Sequence, residues 1–216
     1  MAALAVTLGL SACGGGQRQD VTEPSGNFPV QVTRAKFPTG QSLAEVSDLE
    51  LAIKNVGDKT IPDLAVTIYT RPQAGPAGGP KGDSPFDVRL NDPNLANPNR
   101  PAWILENRYP KLLTPGTTVN NLDKAPSGGA AAAQTDTFQF GAVRAGDSKD
   151  IVWRVTPVRA DAYIVHYEVA AGLQGKAKAV TSNGSPVKGE FVVTVTSKPP
   201  QSCVNGAGQV TTGCGP

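Results

Sequence analysis

Ile151 to Val169 reads IVWRVTPVRADAYIVHYEV, and its alternation decides the fold class. Ile151, Trp153 and Val155 fall on one side and Val152, Arg154 and Thr156 on the other, the period of two that a half-buried strand requires. Thr156-Pro157 and Arg159-Ala160-Asp161 interrupt the pattern, since proline cannot continue a ladder. Beyond them Tyr163, Val165, Tyr167 and Val169 again share one side. Two strands cannot bury an apolar face alone, so this stretch predicts sheet packed against sheet.

The same period recurs outward in both directions. Upstream, Phe28, Val30 and Val32 alternate, and Ala35 and Phe37 return in the opposite parity, which predicts a bulge or a strand that changes sheets. Leu49, Leu51 and Ile53 alternate with Glu50, Ala52 and Lys54, and Asn55-Val56-Gly57-Asp58 turns the chain. Leu64 to Thr70 follows, with Leu64, Val66 and Ile68 inward and Ala65, Thr67 and Tyr69 outward. Downstream, Leu173 to Val180 has an edge-strand composition, Asn183-Gly184-Ser185-Pro186 reads as a turn, and Phe191, Val193 and Val195 mark a last strand before Pro199-Pro200.

Leu49 to Gly57 with Asp63 to Ile68 is similar to the strand-turn-strand of bacterial cell-adhesion-related (CARDB-type) immunoglobulin-like domains. Ala145-Gly146-Asp147-Ser148, Ile151 to Val155 and Tyr163-Ile164-Val165 resemble their second half. The resemblance covers about half of the chain. It implies an immunoglobulin-like β-sandwich of about seven strands and non-catalytic work outside the cytoplasm. Ala162 stands where that pattern often has glycine before the tyrosine, and a long insertion separates the two halves. The fold class expected is therefore all-β, a sandwich over 28–198 carrying a Pro/Gly-rich insertion over 71–134.

The insertion holds about half of the 19 prolines. A loop of such length inside a compact domain is functional or lacks regular structure. Its middle, Arg100-Pro101-Ala102-Trp103-Ile104-Leu105-Glu106, is apolar enough to form a short strand or an ordered segment on the sandwich. Trp103 then either plugs the end of the core or joins Tyr109, Arg100 and Arg108 in an exposed aromatic and cationic binding patch.

At the N-terminus, MAALAVTLGL and Ser11-Ala12 read as an export segment over 1–12. Leu10-Ser11-Ala12-Cys13 resembles the lipobox of bacterial lipoproteins, and the resemblance implies that Cys13 is lipidated and becomes the mature N-terminus. Each buried methylene adds about 0.8 kcal/mol, so more than one acyl chain anchors stably. The other reading of this stretch is a buried N-terminal strand that ends in cysteine. Residues 13–27, with Gly14-Gly15-Gly16, read as a tether. Of the 3 cysteines, Cys203 and Cys214 remain, separated by a Gly-rich segment in the tail 199–216. A disulfide between them would contribute on the order of 3 kcal/mol in an oxidising compartment. The alternative is two unpaired thiols.

A net charge of +2 with 18% charged residues gives no field for holding nucleic acid. Beyond the N-terminus no apolar run reaches the roughly 18 residues of a spanning helix. His166, the one histidine, lies opposite in parity to Tyr163, Val165 and Tyr167, and reads as a solvent-side or loop-covered strand residue. Gly82-Asp83-Ser84 and Gly146-Asp147-Ser148 read as turns, because the Asp-x-x-His that a GDSL-type hydrolase needs is missing. One histidine and two cysteines do not make a zinc tetrad, and Asn91-Asp92-Pro93-Asn94 with Asn97 and Asn99 is short of carboxylates for calcium. No metal, cofactor or catalytic residue is expected. The expected role is binding or structural work by a lipid-anchored protein of the bacterial envelope, with the membrane and an envelope protein or glycan as partners. Alternatives are an accessory subunit docking through the insertion and, less favoured, a hydrolase using His166.

Overall fold

The computed structural model describes residues 23–72, 86–87, 101–113, 132–134, 136–198, 202–204 and 206–212. Among them every regular element is a strand. The six long ones are β1 (Gly26–Lys36), β3 (Ser47–Asn55), β4 (Ala65–Pro72), β10 (Ser148–Pro157), β11 (Asp161–Ala170) and β13 (Val187–Thr196). The short ones are β2 (Gly40–Ser42), β5 (Phe86–Asp87), β6 (Trp103–Leu105), β7 (Lys111–Leu113), β8 (Ala132–Gln134), β9 (Thr137–Gln139) and β12 (Ala177–Val180). A separate hairpin pairs β14 (Ser202–Val204) with β15 (Val210–Thr212).

One sheet runs β12-β1-β3-β10-β6-β5, with β7 also paired to β10, and the other runs β2-β13-β11-β4-β9-β8. The two strands of Ile151–Val169 therefore do not pair with each other. The break at Pro157 carries the chain from one sheet to the other, and the two apolar faces meet across the core. Of the six long strands, the first, second and fourth share one sheet and the third, fifth and sixth the other, while β6 and β7 lie along the free edge of β10. That distribution is the immunoglobulin-type arrangement of a β-sandwich.

The core is built from the residues whose parity marks them. Leu49, Leu51, Ile53, Ile151, Trp153 and Val155 from one sheet meet Val66, Ile68, Tyr163, Val165 and Val193 from the other, each no more than 1% exposed. Each buried aliphatic side chain stabilises by roughly 1.5–3 kcal/mol relative to exposure. Val152, on the opposite side of β10, is fully buried too, although its parity points outward. The ordered part of the insertion lies beside that residue, with β7 paired to Asp150–Val152 along the edge of β10 and the Tyr109 ring against Arg154, which shares the outward side of the strand with Val152.

The bulge expected in the first strand is present, and of the two residues expected to return inward Phe37 is buried while Ala35 is exposed. The β1–β3 register shifts between Val32 and Arg34, and after Phe37 the chain crosses to the second sheet, where β2 pairs in parallel with Thr194–Thr196. Regular pairing begins at Gly26, two residues before the expected start of the domain at Phe28. The segment expected as an edge strand shortens to β12, which is the edge of the first sheet. Gly146, with φ of +82°, forms the turn expected at Gly146-Asp147-Ser148.

Candidate functional site

Trp103 and Tyr109 do not form the exposed patch drawn from the sequence. Trp103 is fully buried and Tyr109 is 8% exposed. Trp103 packs at 4.9 Å on Tyr163 and 5.6 Å on Phe37, and its Nε1 donates to Gln41 Oε1 at 2.7 Å. It closes one end of the core, and the polar end of its indole is satisfied inside, as a buried tryptophan requires. Docking of a partner through Trp103 is set aside for that reason. Tyr109 lies beneath Lys111 Nζ, 4.5 Å from its ring centroid, with the Arg154 guanidinium 5.5 Å away. Arg154 in turn bonds Asp48 Oδ1 from Nε at 3.0 Å, and that contact raises the guanidinium pKa against the lowering by burial. These groups strap segment 101–113 to the outside of the first sheet. Arg108 is exposed, at φ of 70°, and Arg100, Cys13 and Cys214 lie outside the described residues. So do Gly82-Asp83-Ser84 and the Asn91–Asn99 cluster.

The side chains that come together on an outward face are others. Tyr69 on β4 and His166 on β11 are register partners, and their rings stack at 4.9 Å with an 18° tilt. His166 Nδ1 lies 3.6 Å from Glu190 Oε2 on β13, its register partner on the other side. The Tyr69 hydroxyl donates to Glu168 Oε1 at 3.4 Å. Period two aims all four side chains away from the core, and three adjacent strands bring them into one row. The row offers a phenol, an imidazole and two carboxylates: hydrogen-bond donors, acceptors and negative charge suited to polar recognition. Exposed Val192 and Lys188 extend it along β13.

The outward placement of His166 and Tyr69 matches their parity. Glu190 was missed, because its nearness to His166 depends on the β11–β13 register, which no local pattern encodes. Among the described residues no three His, Cys, Asp or Glu side chains converge as a metal would need. No helix among them is long and apolar enough to cross a membrane.

No protein-family model matches the chain, and no curated protein matches it. Similar solved structures include the CARDB domain of a Pyrococcus furiosus protein, solved with di-metal ions, at 12% identity and a TM-score of 0.39 over 78% of this chain and 87% of that one. A PapD-like domain of human CEP192 is similar at 12% identity and a TM-score of 0.37, over 93% and 100%. A cohesin module from a Clostridium perfringens family 33 glycoside hydrolase gives 8% identity and 0.36, over 78% and 98%. The three are β-domain likenesses at low scores, and the fold assignment stands on the strand order instead.

Proposed function

We propose that this protein is a lipid-anchored, extracytoplasmic β-sandwich of the bacterial cell envelope that works by binding. The observation that carries this reading is Leu10-Ser11-Ala12-Cys13, a lipobox-like site placed before a glycine run and then a sandwich. Acylation at Cys13 would hold the domain at a membrane surface with its sheets in water. An oxidising compartment also fits the tail. We read Cys203 as bridged to Cys214, and what supports this is their spacing across a Gly-rich, turn-forming segment. The β14–β15 hairpin turns the chain back between the two positions.

The row of Tyr69, His166, Glu168 and Glu190 is the surface we assign to recognition of an envelope protein or glycan. Its groups bind through hydrogen bonds and charge, and the described partners of His166 position the imidazole rather than supply a nucleophile. The test is crosslinking in intact cells followed by capture from detergent extracts. Tyr69→Ala with Glu190→Ala, both on the outward face, should lose the captured component while melting close to wild type. Capture unchanged by both substitutions would remove the row from the account. Hydrolysis of an ester or glycoside panel that is lost in His166→Ala would overturn the binding reading itself.

A further inference from the structure

The loop between β11 and β12 closes around a carboxylate that comes from far away in the chain. Glu23 Oε1 accepts the backbone N–H groups of Lys176 at 3.0 Å and Ala177 at 2.8 Å, and Oε2 accepts that of Gln174 at 2.8 Å. The loop is shaped for this contact. A Cβ on Gly172 would overlap Glu23 Cδ and Oε1, so a side chain there would displace the carboxylate. Gly175 adopts φ of +76°, the left-handed conformation that turns successive N–H groups toward one point. These hydrogen-bond donors are main chain, and they use both carboxylate oxygens.

We propose that Gly172–Ala177 is a carboxylate receptor, filled in this chain by its own Glu23. The segment that bears Glu23 is held as a bound peptide would be. Just after it, Gly26 N donates to Lys176 O at 3.0 Å, residues Gly26–Pro29 pair in parallel with Ala177–Val180, and Phe28 enters the core. A carboxylate capped by a backbone nest and followed by strand addition is a recurring way of holding extended peptides. Gly175 and Ala177 also wall an open groove of about 430 Å³, lined further by Asn27, Val169, Val180 and Pro186. The groove gives room beside the nest for the body of a carboxylate-bearing ligand. The ligand class is therefore a Glu or Asp side chain or a chain-terminal carboxylate.

The test empties the receptor and offers it a small carboxylate. Full-length Glu23→Ala is titrated with sodium acetate and, at equal ionic strength, with sodium chloride, following the melting temperature and the amide resonances of Gln174, Lys176 and Ala177. The variant should melt below wild type, recover by several degrees in a saturable acetate dependence, and shift those three resonances, while wild type responds to neither salt. Acetyl-glutamate amide and acetyl-glycine then separate side-chain from terminal carboxylates. Glu23→Ala combined with Gly172→Ala, whose methyl fills the nest, should lose the acetate response. If Glu23→Ala does not fold by itself, its recovery of the fold in acetate but not in chloride carries the same test. Equal responses to acetate and chloride, or wild-type amides that shift as far as those of the variant, would overturn the proposal.

Discussion

The hydroxyl of Tyr163 donates to the carbonyl of Arg159, four residues upstream, at 3.1 Å, and accepts from Arg159 Nε at 3.0 Å. The bond straps the crossing from β10 to β11, where the chain leaves one sheet for the other. A tyrosine near the start of this strand, bonded back to the preceding corner, is a hallmark of immunoglobulin-type sandwiches. Tyr163→Phe keeps the ring on Trp103 and removes only these two bonds. The expected cost is about 1–2 kcal/mol in urea unfolding, with the slope unchanged. A shift of the midpoint within error of wild type would show that the corner does not depend on the hydroxyl.

Two tryptophans, both fully buried, should respond differently to loss of the indole nitrogen. Trp103 Nε1 bonds Gln41 Oε1 at 2.7 Å, and Gln41 is itself buried, with Nε2 donating to Pro38 O. Trp153 Nε1 has no hydrogen-bond partner, and its ring sits edge-on to Phe138 and Phe140. Both changes to Phe leave a cavity, but only Trp103→Phe also strands a buried acceptor. Trp103→Phe should therefore cost about 1–2 kcal/mol more than Trp153→Phe in paired denaturant titrations. The reverse order would contradict the bonding described for the two indoles.

Asn55 is fully buried at the end of β3. Its Nδ2 donates to Lys59 O at 2.8 Å and Val143 O at 2.9 Å, and its Oδ1 accepts Gly57 N at 3.0 Å. It ties the turn after β3 to the strand-end bridge at Val143. Asn55→Asp would face a carboxylate toward two carbonyl oxygens in a dry site. A loss of about 3 kcal/mol or more at neutral pH is expected, shrinking as pH falls and the new acid protonates. A variant as stable as wild type at pH 7 would contradict the assigned amide orientation.

Burial alone would raise the pKa of Glu23, but the N–H groups of Ala177, Gln174, Lys176 and Leu173 together hold it below the ordinary carboxylate range. A depressed folded pKa contributes stability that is present above the unfolded value and lost as pH falls through the folded one. Asp63 faces the same region and has the opposite sense. Burial raises its pKa, with Glu23 adding to the rise and the Gly141 N–H and Lys149 opposing it. Glu23→Gln should thus flatten the fall in melting temperature as pH drops through and below the ordinary carboxylate range, and Asp63→Asn should not. An acid limb unchanged by Glu23→Gln would contradict the bonded carboxylate.

Period two made the strands legible. Leu49, Leu51, Ile53, Tyr163 and Val165 are inward as their parity requires, because one buried face fixes which residues alternate. The sheet membership of Ile151–Val155 and Tyr163–Val169 was not legible, since adjacency in sequence does not say whether two strands pair or cross. Trp103 was legible as an ordered apolar residue and ambiguous between core and surface. Its burial depends on Phe37, Gln41 and Tyr163, residues distant in sequence. Glu23 was hidden inside a polar, Pro- and Gly-containing stretch read as tether, because its partners are backbone amides, which leave no trace in side-chain patterns.

The attachment of the domain to a membrane through Cys13 is tested most directly by metabolic labelling with an alkyne fatty acid in bacterial cells that express the protein, followed by detergent phase partition. The wild-type protein should incorporate label and enter the detergent phase, and Cys13→Ala should do neither. Wild type without label, or Cys13→Ala labelled to the same extent, would contradict the account.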